Sequence, residues 1–429
     1  MSGNQLVAMR TAATLLGTHT RSSGGCGMIA ATTLYSPATT ATETTATATA
    51  ATAIRTLLRK HHFINHANRR ASSNQSLPLH CRLFSTCRTV ATSAYLAKER
   101  AVAIEAVERA SRVCQAVFKK LVTEETLTKK DKSPVTVADF GAQAVVNSIL
   151  ERSFPDDPVV GEEDSKDLQG EEGRVLREKV VDLVNTAVES PMSADEILRA
   201  IDRGQYAGGP KGRHWTLDPI DGTKGFLRGE QFAVCLALII DGKVRLGVLG
   251  CPNLPYELDK PEGERGVLMI AVEGQGAFQR RLDAGSDADE TPIHVSNVSE
   301  PKDATFCESV EEGHTNHGDS ANIAKLLQIT KPSVRMDSQC KYAAVARGDA
   351  DIYLRLPRQA SYVEKIWDHG AGNIVISEAG GRVSDVNGKP LDFSTGRTLS
   401  ENKGIVAASA DIFDSVIAAV KATLAGKSE

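Results

Sequence analysis

The chain lacks any apolar run long enough to cross a bilayer. Its longest, Phe232 to Ile240, falls far short of the ~20 residues that a spanning helix needs. It also lacks an excess of either charge: 50 lysines and arginines stand against 54 acids, and a net charge of -4 gives no bulk attraction to nucleic acid. No C-x-x-C pair or zinc spacing occurs among its eight cysteines, Cys26, Cys81, Cys87, Cys114, Cys235, Cys251, Cys307 and Cys340. Free thiols in a reducing compartment are the simplest account of them. No Cys-x5-Arg phosphate loop is present, so a cysteine-nucleophile phosphatase is excluded.

Acids are missing from one end. Residues 1 to about 90 hold eight arginines but a single acid, Glu43, and are rich in Ala, Thr and Ser. Such a segment cannot build a core, and its composition reads as an organellar transit peptide. Arg82-Leu83-Phe84-Ser85 resembles a mitochondrial processing site, with cleavage expected after Phe84. The alternatives are a plastid address, or a disordered leader on a cytoplasmic protein, which the low-complexity Ala/Thr tract from 39 to 53 would suit.

What remains is 41% hydrophobic and 24% charged over the whole chain, as in soluble globular proteins, and is long enough for two ordinary domains. From about Ser93, an apolar stripe through Ala103, Val107, Ala110, Cys114, Val117 and Leu121 predicts a long amphipathic helix. Pro134 to Ala138 reads as short and extended, with Asp139 at the start of a second helix, where an acid can be only a cap. Val159 and Val160 form a short strand that Gly161 ends, delivering Glu162, Glu163 and Asp164 either as ligands or as a solvated loop. Residues 165 to 212 read as helix and flexible loop. Phe232 to Ile240, the turn Asp241-Gly242 and Val244 to Leu249 read as a hairpin. Val267 to Val272 adds a strand to a mixed sheet that ends near Ser299 to Lys302. Beyond it, a helix at Ser320 to Gln328, an Ala-rich helix after Tyr342, a strand at Asp351 to Leu354 and a helix capped by Asp368 lead to closing strands at Val383 to Asp385 and Ile405 to Ala408. A last helix runs from Ile412 to Leu424.

The chain is organised around His214 to Phe226. Trp215 and Leu217 end a strand, and Pro219 removes a backbone donor so that pairing must stop there. Asp218 and Asp221, with the Ile220 carbonyl between them, are hard oxygen ligands of the kind magnesium takes. Gly222 and Thr223 stand at a helix start, where free N–H groups can hold a phosphate. The same letters are also good turn chemistry.

Gly161-Glu162-Glu163, Asp218-Pro-Ile-Asp221-Gly-Thr223 and Trp367-Asp368-x-x-Ala371-Gly372, in this order, resemble the lithium-sensitive, magnesium-dependent phosphatase superfamily that includes the inositol monophosphatases. Lys224-Gly225-Phe226, Val310-Glu-Glu-Gly-His314, Asp337-Ser-Gln-Cys-Lys341-Tyr and Tyr353-Leu-Arg355-Leu-Pro357 are similar to its 3'(2'),5'-bisphosphate nucleotidases. The likeness runs from about residue 95 to about 425 and is loose between 165 and 212.

The resemblance implies an α/β fold, a layered αβαβα sandwich with the active site in a cleft between two domains. These would be 91–302, carrying the metals, and 303–429, carrying the nucleotide site, after a 1–90 leader. It implies that Glu162, Asp218, the Ile220 carbonyl, Asp221 and Asp368 hold two or more Mg2+ ions, and that Asp139 with Thr223 orients and deprotonates the attacking water. Gly222 and Thr223 would take the phosphate, while His314, Ser338, Lys341 and Arg355 would bind the rest of the nucleotide. The implied reaction releases the 3'-phosphate of adenosine 3',5'-bisphosphate, giving AMP, and extends to phosphoadenylyl sulfate. That would clear a by-product of sulfate assimilation. An inositol monophosphatase or inositol polyphosphate 1-phosphatase would share every metal ligand; a nucleotide sensor without turnover is the reading outside the enzymes. The expected partner is the small-molecule nucleotide alone, with neither nucleic acid nor membrane, bound to a monomer.

Overall fold

A computed structural model of the chain describes residues 95–123, 133–285, 288–311, 317–357 and 362–426. The leader and its processing site, and His314, lie outside the described residues. All of those described belong to one compact unit, Pro78–Glu429. Among them are nine α-helices: α1 Ala97–Thr123, α2 Ser133–Ser153, α3 Arg174–Asn185, α4 Ala194–Asp202, α5 Thr223–Arg228, α6 His317–Leu326, α7 Cys340–Ala346, α8 Gly370–Glu378 and α9 Phe413–Ala425. No helix among the described residues is long and apolar enough to cross a membrane.

Two sheets carry the fold. The larger joins β1 Val159–Gly161, β2 Arg213–Asp221, β3 Ala233–Ile240, β4 Lys243–Pro255, β5 Arg265–Val272, β6 Gly276–Arg281 and β7 Thr291–Ile293 in sequence order, with only β1 and β2 parallel. The smaller contains β8 Phe306–Glu308, β9 Val334–Arg335, β10 Ile352–Arg355, β11 Gly381–Ser384 and β12 Ile405–Ser409, in the order β11-β12-β10-β8-β9.

The period-2 alternation of strand side chains divides the core into three layers. On β3, Val234, Leu236 and Leu238 pack with α1 and α2, whereas Ala233, Cys235, Ala237 and Ile239 face α7 and α8. On β10, Tyr353 joins that second layer, while Ile352 and Leu354 turn to the third, with Ile323 of α6 and Val416 of α9. The order is therefore helices, large sheet, helices, small sheet, helices, which is the expected αβαβα arrangement. The middle layer is thin because its facing residues are small. A Cβ on Gly247 would lie 2.5 Å from Ile374 Cγ2, and one on Gly372 would lie 2.3 Å from the Tyr342 ring.

Three local expectations need correction. Pro134 to Ala138 is helical, and Asp139 lies in the second turn of α2 rather than at its start. Val135, Ala138, Ala142 and Val146 form one buried stripe, and that packing outweighs the few tenths of a kcal/mol by which β-branched residues disfavour helix. Pro134 falls in the first turn, where its missing N–H breaks no helical bond. Asp368 caps nothing: α8 begins at Gly370 with His369 at the N-cap. Finally, β2 does not end at Pro219. Its pairing with β3 lapses after Asp218↔Cys235 and resumes at Asp221↔Ala233. Residues 165–212, read only as helix and loop, contain α3 and α4, the latter fixed by a Ser193/Glu196 capping box.

Candidate active site

That lapse in pairing builds the site. Asp218 and Asp221 are three residues apart, so a regular strand would point them to opposite faces. Between them β2 advances three residues while β3 advances two, and the extra residue is a bulge, at Pro219 and Ile220, that restores the phase. Both carboxylates then line one cavity of about 260 Å3, and Ile220 lines it with them. Parallel pairing of β1 with β2, Gly161 opposite Leu217, brings Glu162 to the same edge. Gln143 of α2 holds the backbone there: its Nε2 donates to the Glu163 carbonyl at 2.7 Å, and its Oε1 accepts the Glu163 N–H at 3.1 Å.

Gly222, at φ +88°, turns the chain into α5. A Cβ there would lie 2.8 Å from that of Ser338, itself at φ +64°, so a turn from each half of the molecule meets at the cavity wall. Phe226 anchors α5, its ring centroid 5.3 Å from Phe118 and 4.8 Å from Phe232. Across the cavity, the Gln339 N–H donates to Asp221 Oδ2, while its side chain donates to the Trp367 carbonyl and accepts the Gly372 N–H, both at 2.8 Å. One residue thereby ties Asp221 to the turn that carries Asp368. Lys224 meets Glu311 at 2.8 Å, and Arg228 pairs with Asp337.

The carboxylates hold protons tightly. Burial, and then the neighbouring Glu162 charge, raise Asp218 well above the ordinary carboxylate range. Burial, followed by Glu163 and Glu162, does the same to Asp139. Asp221 rises to about 6 by burial and the Asp368 charge, with Lys341 pulling the other way. Glu162 rises to about 8, from desolvation and then Asp368; because its side chain is solvent-exposed at the cavity mouth, the direction carries more weight than the size. Asp139 and Asp218 each keep a buried Oδ1 with no hydrogen-bond partner.

Mutually repelling carboxylates, a backbone carbonyl and orphaned hard oxygens are the donor set a divalent cation takes, and these residues fit one. Glu364, Asp368 and His369 also lie close enough to share an ion. Their groups are already engaged, however. His369 Nδ1 shares a hydrogen bond with Tyr342 Oη at 2.8 Å, its Nε2 lies 3.2 Å from Glu364, and Glu364 accepts from Arg355 Nε at 3.0 Å.

The basic residues face the acids. Lys341 is buried, donates to the Ser338 carbonyl at 2.8 Å and sits 5.3 Å from the Tyr353 ring centre. Arg355 reaches Tyr362 Oη at 3.1 Å and Asp368 at 3.6 Å. Asp218, Ile220, Asp221, Gly222, Thr223, Glu162, Ser338, Lys341, Arg355 and Asp368 thus share one cavity wall. Asp139 does not reach that wall; it is buried close to Glu162 and Glu163. Thr223 Oγ1 donates, at a long 3.5 Å, to the Ile220 carbonyl. Gln143, Gln339, Tyr362 and Glu364 carried no signal in the sequence, because each acts through a partner distant along the chain.

Residues 96–424 match the inositol monophosphatase family. The 3'(2'),5'-bisphosphate nucleotidase of Schizosaccharomyces pombe is 49% identical over 76% of this chain and 95% of its own length. That of Emericella nidulans is 48% identical over 76% of this chain and 98% of its own. Among solved structures, an inositol monophosphatase from Anabaena (Nostoc) sp. aligns over 77% of this chain and 97% of its own, at 23% identity and a TM-score of 0.49.

Proposed function

This chain belongs to the inositol monophosphatase family, and on that premise we propose that its cavity removes the 3'-phosphate of adenosine 3',5'-bisphosphate with the help of bound magnesium. It is a phosphoric monoester hydrolase of the bisphosphate nucleotidase type, as its relatives at 48–49% identity are. The observation that carries the finer reading is the pairing of an acidic wall, Asp218, Asp221 and Asp368, with a basic one, Lys341 and Arg355, in a single cavity. A substrate with two phosphates needs both: hard-ion ligands at the one that is cleaved, and charge-assisted donors at the one that is kept.

Glu162, Asp218, the Ile220 carbonyl, Asp221 and Asp368 would hold the magnesium ions. Bound there, magnesium neutralises charge on the scissile phosphate and lowers the pKa of water. The Gly222 and Thr223 N–H groups receive the phosphate oxygens. Thr223 Oγ1 orients the attacking water and Asp139 takes its proton, a role suited to a carboxylate whose proton affinity is raised toward neutrality. Ser338, Lys341 and Arg355 hold the 5' side of the nucleotide. We extend the reading to phosphoadenylyl sulfate and to the clearing of a by-product of sulfate assimilation.

The test is phosphate release from adenosine 3',5'-bisphosphate, phosphoadenylyl sulfate and inositol 1-phosphate, with and without magnesium. The bisphosphate nucleotide is expected to be used best, only with magnesium, and more slowly in lithium than in potassium at equal ionic strength. A preference for inositol 1-phosphate would overturn the assignment.

Lys341→Ala is expected to weaken use of the bisphosphate nucleotide by about 1.5–3 kcal/mol in kcat/KM, the usual cost of a lost charged hydrogen bond. It should change inositol 1-phosphate turnover little; an equal loss on both substrates would remove Lys341 from the 5' side. Arg355→Ala is the less clean probe, since Arg355 also touches Asp368.

We further propose that the acid-poor segment before about Ser85 is an organellar leader, a reading supported by its composition and by a family match that starts at residue 96. Mass spectrometry of the endogenous protein is expected to find it removed, and an intact Met1 would refute this.

A further inference from the structure

Glu162 and Asp368 come from opposite ends of the chain, and each raises the other's proton affinity, so something other than their own attraction must hold them side by side. The contacts of Arg397 supply it. Its Nη2 donates to the carbonyl of Gly161, the residue before Glu162. Its Nη1 donates to the Gly204 and Tyr206 carbonyls at 2.9 and 3.0 Å. Gly204 in turn accepts the Gly161 N–H at 2.8 Å, so the end of β1 is gripped from both sides.

The same guanidinium lies 4.8 Å from the ring centre of Trp367, the residue before Asp368, and the Arg397 carbonyl accepts the Ile366 N–H at 3.2 Å. Its loop cannot slide, because a Cβ on Gly208 would come within 2.9 Å of the Gly396 backbone. The guanidinium's planar fork, with several donors and a flat face, can bind carbonyls and an indole at once, which a lysine cannot do.

We propose that Arg397 is a positioning residue that sets the separation of Glu162 and Asp368, and through it the affinity of the site for a divalent cation. It touches neither carboxylate; it fixes the backbone one residue before each. The inference rests on the metal reading of the site given above.

The test is the binding of manganese(II), followed by the EPR signal of the free ion, to the full chain and to its Arg397→Ala, Arg397→Gln and Arg397→Lys variants, well below their unfolding temperatures. The Ala and Gln variants are expected to bind about 10–100-fold more weakly, as when a group that orients a metal ligand is lost. Lysine should restore little, and added guanidinium should recover much of the affinity of the Ala variant. At saturating metal, kcat should recover more fully than the metal concentration needed for half-activity. Should the Ala variant fail to fold, Gln and Lys carry the measurement. Affinity equal to the parent's, with only a lower unfolding temperature, would overturn the proposal. A parent chain that binds no manganese would overturn the metal reading and this inference together.

Discussion

An Asp218→Asn protein is expected to lose at least ~10²–10³-fold in kcat/KM, the order that follows removal of a preorganised charge-stabilising group, and yet to unfold at a higher temperature than the parent in metal-free buffer. The two effects share one cause. Asp218 is buried at the bulge of β2 with an unpartnered Oδ1, and burial together with Glu162, Asp221 and Asp368 opposes its ionised form. Asparagine keeps the shape and removes the charge, relieving repulsion that the folded chain otherwise bears for the sake of its ligand set. Phosphate release, and thermal unfolding followed by circular dichroism in EDTA at pH 8, make the comparison. Retained turnover would take Asp218 out of the active site, and a lowered unfolding temperature would show that its carboxylate stabilises the fold.

Stripped of metal, the parent protein is expected to become less stable as pH rises from about 5 to 8. Asp221 titrates near 6, Glu163 near 7 and Glu162 near 8 in the folded chain, whereas unfolded carboxylates titrate near 4. The native state therefore keeps protons that the unfolded state has released, and stability falls with pH across that interval, by roughly 1.4 kcal/mol per pH unit for each such proton. Below pH 4 both states are protonated at these groups and the penalty disappears. Saturating magnesium should abolish the slope, because binding displaces the protons, and the stability gap between loaded and stripped protein should widen toward pH 8. Unfolding temperatures at pH 5, 6, 7 and 8 with EDTA or magnesium supply the test. Metal-free stability that is flat or rises over this range would mean that the acids are not crowded as described.

Much of the fold could be read before any coordinates. The apolar run of β3, the Asp241-Gly242 turn with φ of 49° and 71°, and the stripe on α1 follow from spacing and turn chemistry that act within a few residues. Reading failed where the local signal was weak or split. Val135 and Val137 looked extended because the stripe that makes them helical is completed only by residues beyond Asp139 and by the core they pack into.

The site divides in the same way. The sequence by itself determined the inventory: acids at strand ends, Gly222 with its left-handed turn, a lysine and an arginine further on. Only the tertiary structure decided that Asp218 and Asp221 share a face, because the bulge depends on how β3 pairs past Pro219. It also decided that Ser338 meets Gly222, that Gln339 links Asp221 to the Asp368 turn, and that Arg397 grips the backbone beside Glu162. Local spacing reports which face a residue takes within its own element. Which residues of distant elements touch depends on how whole faces pack, and no short stretch of sequence carries that information.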